Sequence, residues 1–170
     1  MRYLNTGRLE LSKFILVVQT VHKALRLMED GTRSGFFFAL YGSRFCNVIL
    51  KGMIGKVRDF KLPKYEHLVE EKAGRLFINT IHRSSHESRN TDEEKYGGAV
   101  RGRNYILSIS GFATEHEDEA VAMVALITLG EMSERVATDI AEITGNKIFG
   151  RLLKLYRSAS IPEIGQRGKR

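Results

Sequence analysis

Apolar residues at Leu11, Phe14, Ile15, Val18, Val21, Leu25 and Met28 recur at the three- and four-residue spacing of one helical face, and Asp30-Gly31 supplies a stop. The pattern predicts a first helix. The run Phe36 to Tyr41 is too short for a helix, and its aromatics suit a pleated surface, so it reads as a strand. Gly42-Ser43 fits a two-residue reversal, and Phe45 to Leu50 reads as the returning strand of a β-hairpin. Cys46 is then a small packed hydrophobe inside that strand. Gly52 and Gly55 predict a bulge or an early end.

Pro63 can open a helix, and Tyr65, Leu68, Val69, Leu76 and Phe77 continue it on one stripe. From His82 to Lys95 no residue is apolar, which predicts a mobile loop with nothing to anchor it. Gly97-Gly98 ends the loop. Ala99-Val100, a turn at Arg101-Gly102-Arg103-Asn104 and the alternation of Tyr105 to Phe112 predict a second hairpin, with Tyr105, Leu107 and Ile109 on one face. Thr114 and Glu117 stand at capping-box spacing. Glu115, Glu117, Asp118 and Glu119 crowd the first turn, where the helix dipole favours acids, so they need no catalytic explanation. The stripe from Val121 to Ile143 predicts one long helix, with Gly130 its weak point, and Ile148 to Tyr156 predicts a short last helix.

The order helix, hairpin, helix, hairpin, long helix predicts an α+β fold with a four- to five-stranded antiparallel sheet. Residues 1–145 read as one domain and residues 146–170 as a basic helix with a flexible tail. Helices on one side would leave the other sheet face or its edges to be covered, so a homo-oligomer is expected.

Composition fits that reading: 170 residues, 42% apolar and 28% charged, form one soluble domain. A single cysteine, no 18-residue apolar run and no basic-then-apolar leader predict a cytoplasmic protein with no membrane partner. The net charge of +7 is concentrated at one end. Lys147, Arg151, Lys154, Arg157, Arg167, Lys169 and Arg170 stand against one acid, Glu163, a balance of +6. Such a cluster suits nucleic acid or an acidic protein. A weaker cluster runs from Lys51 to Lys64.

Catalytic motifs are missing from the pattern: no nucleophile elbow, phosphate loop or dinucleotide fingerprint occurs, so no enzyme class is assigned. His82 and His86 have the four-residue spacing of paired metal ligands, but they fall in the polar loop, and two ligands are too few. His116-Glu117 opens like a zinc-protease helix, but Ala120 stands where its second His belongs. The glycine-rich turn from Gly97 to Arg103, with Arg101 and Arg103, has the chemistry of an anion cradle.

Tyr96 to Gly111, the acidic turn at Glu115 to Glu119 and the alanine-rich helix that follows resemble the closing segment of GlcG/HbpS-like proteins. Gly97-Gly98, Ser110-Gly111 and Asp118 fill the family's places, and the opening helix, first hairpin and Lys72-Ala73 follow its order. Gly42 or Ser43 stands where the family has an Asp, and Gly74-Arg75 where it has Thr-Ala. The resemblance implies a profilin- or PAS-like sheet, a homo-oligomer, and binding of haem or another small ligand without established catalysis. Gly97, Gly98, Arg101, Arg103, Ser110 and Gly111 become the candidate ligand-binding residues. The alternative is an interaction module working through the basic last helix and tail.

Overall fold

The computed structural model describes residues 35–159 together with Phe14, Ile15, Val18, Gln19 and His22. Those five are helical, as the first apolar stripe predicts; the rest of that helix and the tail at 160–170 lie outside the described residues.

Strands β1 (Gly35–Gly42), β2 (Val48–Gly55), β3 (Ala99–Arg101) and β4 (Tyr105–Ser110) form one open sheet in the order β2-β1-β4-β3, antiparallel at every pairing. The fold is α+β, with four strands in the sheet. The first hairpin differs from the expected two-residue turn. Its loop runs from Ser43 to Asn47, closed by Gly42 N donating to Asn47 O at 2.9 Å and Cys46 N donating to Gly42 O at 3.0 Å. A register shift between Leu40 and Tyr41 sets Tyr41 opposite Val48, so Phe45 leaves the strand and is 79% exposed. Cys46 sits in that loop at φ 49° and not in a strand. Gly52 does not interrupt β2. It lies opposite Phe38, whose ring would be in ordinary contact, at 3.7 Å, with a Cβ there.

Helix α1 (Leu62–Ile78) follows, with proline in its first turn. Helices α2 (Glu115–Thr128), α3 (Glu134–Thr144) and α4 (Phe149–Ala159) complete the described chain. The long helix expected after Thr114 is thus two helices. Gly130 takes φ 74°, a left-handed conformation open to glycine, and Ser133 Oγ then caps α3 by accepting from Val136 N. Glu131 holds this break against the β3–β4 turn, its carbonyl accepting from Arg103 N at 2.8 Å and its carboxylate from Asn104 N at 2.9 Å.

Strand alternation divides the interior in two. Phe36, Phe38, Leu40, Leu107 and Ile109 meet Phe14, Val18 and the apolar face of α2, with Phe149, Leu152 and Leu153 of α4 behind. Ala39, Tyr41, Ala99 and Ile106 meet Val69, Ala73 and Leu76 of α1. Helices therefore cover both faces of the sheet within one chain, contrary to the one-sided arrangement expected. Among the described residues, no helix is long and apolar enough to cross a membrane.

The polar segment from His82 to Lys95 is anchored, also against expectation. Its anchors are polar. Ser84 and Ser85 are fully buried. Arg75 of α1 donates to the carbonyls of Ser85 (2.8 Å), Ser88 (2.7 Å) and Tyr96, and Ser85 Oγ accepts from Ala99 N at 3.0 Å. Charge-assisted bonds to backbone carbonyls replace the apolar contacts the segment lacks.

Candidate functional site

Along α1 the buried positions are Leu68, Val69, Lys72, Ala73 and Leu76, so a lysine interrupts an otherwise apolar face. Lys72 is 1% exposed. Its Nζ donates to Ile109 O at 2.8 Å and to Asp118 Oδ2 at 3.2 Å. Asp118 lies in the first turn of α2, and its Oδ1 accepts from Phe112 N at 3.1 Å. Burial pushes the Asp118 carboxyl up to about 6 against the opposing pull of the Lys72 ammonium and the Phe112 amide. Gly98 makes the pair possible: at φ 112°, a Cβ there would lie 2.6 Å from Asp118 Cβ and 2.9 Å from Lys72 Nζ. Gly111, at φ 142°, passes equally close to Phe36.

The pair lies against a cleft of about 530 Å³ between the N-terminal half of α1, the anchored polar segment and the entry to α2. Ser110, Gly111 and Phe112 border it on the strand side, Tyr65 and Leu68 on the α1 side, and Tyr96 beside the polar segment. Lys64 and Arg89 bring cations to it. Arg89 is paired with Glu115, whose other oxygen accepts from Gly97 N at 2.5 Å. Burial works to raise the Glu115 carboxyl, but the Gly97 amide and the Arg89 guanidinium outweigh it and hold it below the usual range.

His116, also at the cleft, stacks on His86 with ring centroids 4.7 Å apart. Its Nε2 lies 3.1 Å from the Thr144 carbonyl, which can only accept, so Nε2 is the donor of that bond. His86 Nδ1 is buried without a hydrogen bond, 3.8 Å from Glu115 Oε2. Burial lowers the His86 pKa, against the raising effect of Glu119 and Glu115. Glu119 is fully buried and ties three segments together: Ser84 Oγ donates to one oxygen, and Thr144 Oγ1 and Asn146 Nδ2 donate to the other, each at 2.8 Å.

Of the six residues expected to bind a ligand, Ser110 and Gly111 border the cleft. Gly97 and Gly98 stand behind it, one holding Glu115 and the other admitting the ion pair. The two arginines lie elsewhere. Arg101 donates to the carbonyls of Leu76 and His82, satisfying the end of α1, and Arg103 is exposed in the β3–β4 turn. His86 lies in a single 3-10 turn, Ser85–Ser88, and His82 precedes it, so the two do not share an α-helical face; among the described residues no group of three or more His, Cys, Asp or Glu is placed to hold a metal. Lys147 precedes α4, while Arg151, Lys154 and Arg157 lie on it; Arg167, Lys169 and Arg170 fall outside the described residues.

Pattern reading did not find the Lys72–Asp118 pair, Arg75 or Glu119. A lysine inside the apolar stripe of α1 is the one signal that pointed to the pair. The donor set does not fit haem held by an imidazole. His116 is the one imidazole at the cleft, and its Nε2 faces Thr144; Lys72, Arg89, Glu115 and Asp118 stand where a macrocycle needs apolar walls. No family model, curated protein or solved structure matches the chain.

Proposed function

We propose that the chain binds a small anionic molecule in the cleft beside Lys72, Ser110 and Asp118. The observation that carries this reading is the placement of Ser110 and a buried ion pair against a cavity of about 530 Å³ that Lys64 and Arg89 also border. Ser110 Oγ has no hydrogen-bond partner among the described residues, so its hydroxyl is available to a ligand oxygen. Lys72 Nζ gives two of its three hydrogens to protein acceptors. The acids at the cleft are already engaged: Glu115 by Arg89 and Gly97, Asp118 by Lys72 and Phe112. The cations are paired too, Lys64 with Glu94 and Arg89 with Glu115, and what favours a carboxylate or phosphate is the balance of three cations, Lys64, Lys72 and Arg89, to two acids at the cleft. The resemblance of residues 97 to 122 to GlcG/HbpS-like proteins supports a ligand-binding role, with an organic anion in place of haem.

Thermal unfolding with millimolar pyruvate, succinate, citrate and glycerol 3-phosphate tests the reading. A ligand present at 100 times its Kd stabilises the native state by about 2.7 kcal/mol, several degrees in Tm for a chain of this size. At least one of the four should do so, and Ser110→Leu should abolish the effect. Ala113→Trp, at an exposed position beside the cleft, is the second blocking variant. No shift with any of the four, or a shift that survives both variants, overturns the reading.

A further inference from the structure

A second concavity, of about 670 Å³, lies between α3 and α4, away from the Lys72–Asp118 site. Each helix has 11 residues, and Glu134 at the start of α3 meets Arg157 near the end of α4 at 2.7 Å. The two helices therefore run side by side in opposite directions. The groove between them follows their length, about 16 Å at the α-helical rise, or three turns. Small residues keep it open, Thr138, Ala141 and Gly145 on one side and Gly150 on the other, with Phe149 and Leu153 giving it an apolar base. A Cβ built at Gly150 meets nothing within 4 Å.

The walls differ in charge. On the α4 side Lys147 and Lys154 are exposed and have no ion-pair partner among the described residues. On the α3 side Glu134 is taken by Arg157, leaving Glu142 as the one unpaired acid at the groove. The occupant that matches is apolar where it faces the floor and negative where it meets α4. A second copy of this chain would bring a net charge of +7 to the same cations. We propose that this groove docks an amphipathic helix of a partner protein, carrying carboxylates on the flank that lies against α4. The small residues Thr138, Ala141, Gly145 and Gly150 let such a helix approach closely, and the unequal walls fix its direction.

The probe is a fluorescein-labelled 16-residue helical peptide with leucines at i, i+3, i+4 and i+7 and glutamates along one flank, titrated against the full chain by anisotropy. The control peptide carries lysines in place of the glutamates. The glutamate peptide should bind at least tenfold more tightly than the lysine peptide. Gly150→Trp, which fills the groove from an open position, and Lys154→Glu should each weaken it at least tenfold with Tm unchanged. Equal affinity for the two peptides, or binding of neither, overturns the proposal. So does a labelled 20-nucleotide RNA whose binding Lys154→Glu abolishes while neither peptide binds, since that outcome assigns the cations to phosphate. Self-association in sedimentation velocity that Gly150→Trp removes assigns the groove to a second copy instead.

Discussion

Replacing Lys72 by Met removes the cation and leaves the Asp118 carboxyl buried with one amide donor, Phe112 N. Both partners are nearly inaccessible, at 1% for Lys72 and 5% for Asp118, so water cannot take over the lost interaction. Breaking a buried pair from one side costs about 3–5 kcal/mol. The carboxyl already titrates near 6 where an ordinary aspartate titrates at 3.8. That difference corresponds to about 3 kcal/mol, at about 1.4 kcal/mol per pKa unit. Its sign is fixed by linkage: for a carboxyl raised on folding, the stabilisation is fully present below the unfolded value and is lost as pH rises through the folded one. Without Lys72 the titration moves higher still. The Lys72→Met penalty should therefore be largest at pH 8 and shrink toward pH 5, as the stranded carboxyl takes up a proton. Asp118→Asn removes the titrating carboxyl and with it the wild type's own low-pH stabilisation, so its penalty should run the other way, largest near pH 5 and smaller toward pH 8. His86, lowered by burial, acts in the opposite direction but is common to all three proteins and cancels in the differences. Urea unfolding followed by far-UV circular dichroism at pH 5, 6, 7 and 8 measures both penalties. A Lys72→Met penalty below about 1 kcal/mol at pH 8, or one independent of pH, refutes the reasoning.

Gly98→Ala sets a Cβ against Asp118 and Lys72 at φ 112° and should destabilise by about 2–4 kcal/mol in the same urea assay; near-neutral behaviour contradicts the close packing. Glu119→Ala strands the donors of Ser84, Thr144 and Asn146, about 3 kcal/mol in all. It should also speed hydrogen exchange at residues 84–88, and unchanged exchange there would show that the segment is held by other means. Gly130→Ala pays only for its left-handed backbone, since no atom lies within 4 Å of the new Cβ, and should lower stability by about 1 kcal/mol. Cys46 should react with a disulfide reagent at pH 8 more slowly than glutathione, because burial raises its thiol pKa; an equal rate argues against that placement.

Local chemistry was readable and long-range polar chemistry was not. The start of α2 follows from Thr114 and Glu117, three residues apart, whose bonds close within one turn. Strand alternation put Leu107 and Ile109 on the correct common face because a pleat has a period of two. Gly130 was recognised as a weak point, but a continuous apolar stripe could not show that Ser133 starts a separate helix. The polar segment looked unanchored because its partners, Arg75 and Glu119, lie outside it and leave no periodic trace. Lys72 and Asp118 are 46 positions apart, and the acid alone is adequately explained by the helix dipole. Arg101 and Arg103 fit an anion cradle by composition, but the end of α1 uses the first and the β3–β4 turn exposes the second.

The binding role of the cleft is tested most directly by ¹⁵N-resolved NMR titration with whichever of the four anions stabilises the chain. Amide shifts concentrated at Ser110 to Asp118, with Lys72 and Tyr96 responding in parallel, are the predicted result. Shifts confined to the groove of α3 and α4, or to the Arg101 to Asn104 turn, would contradict it.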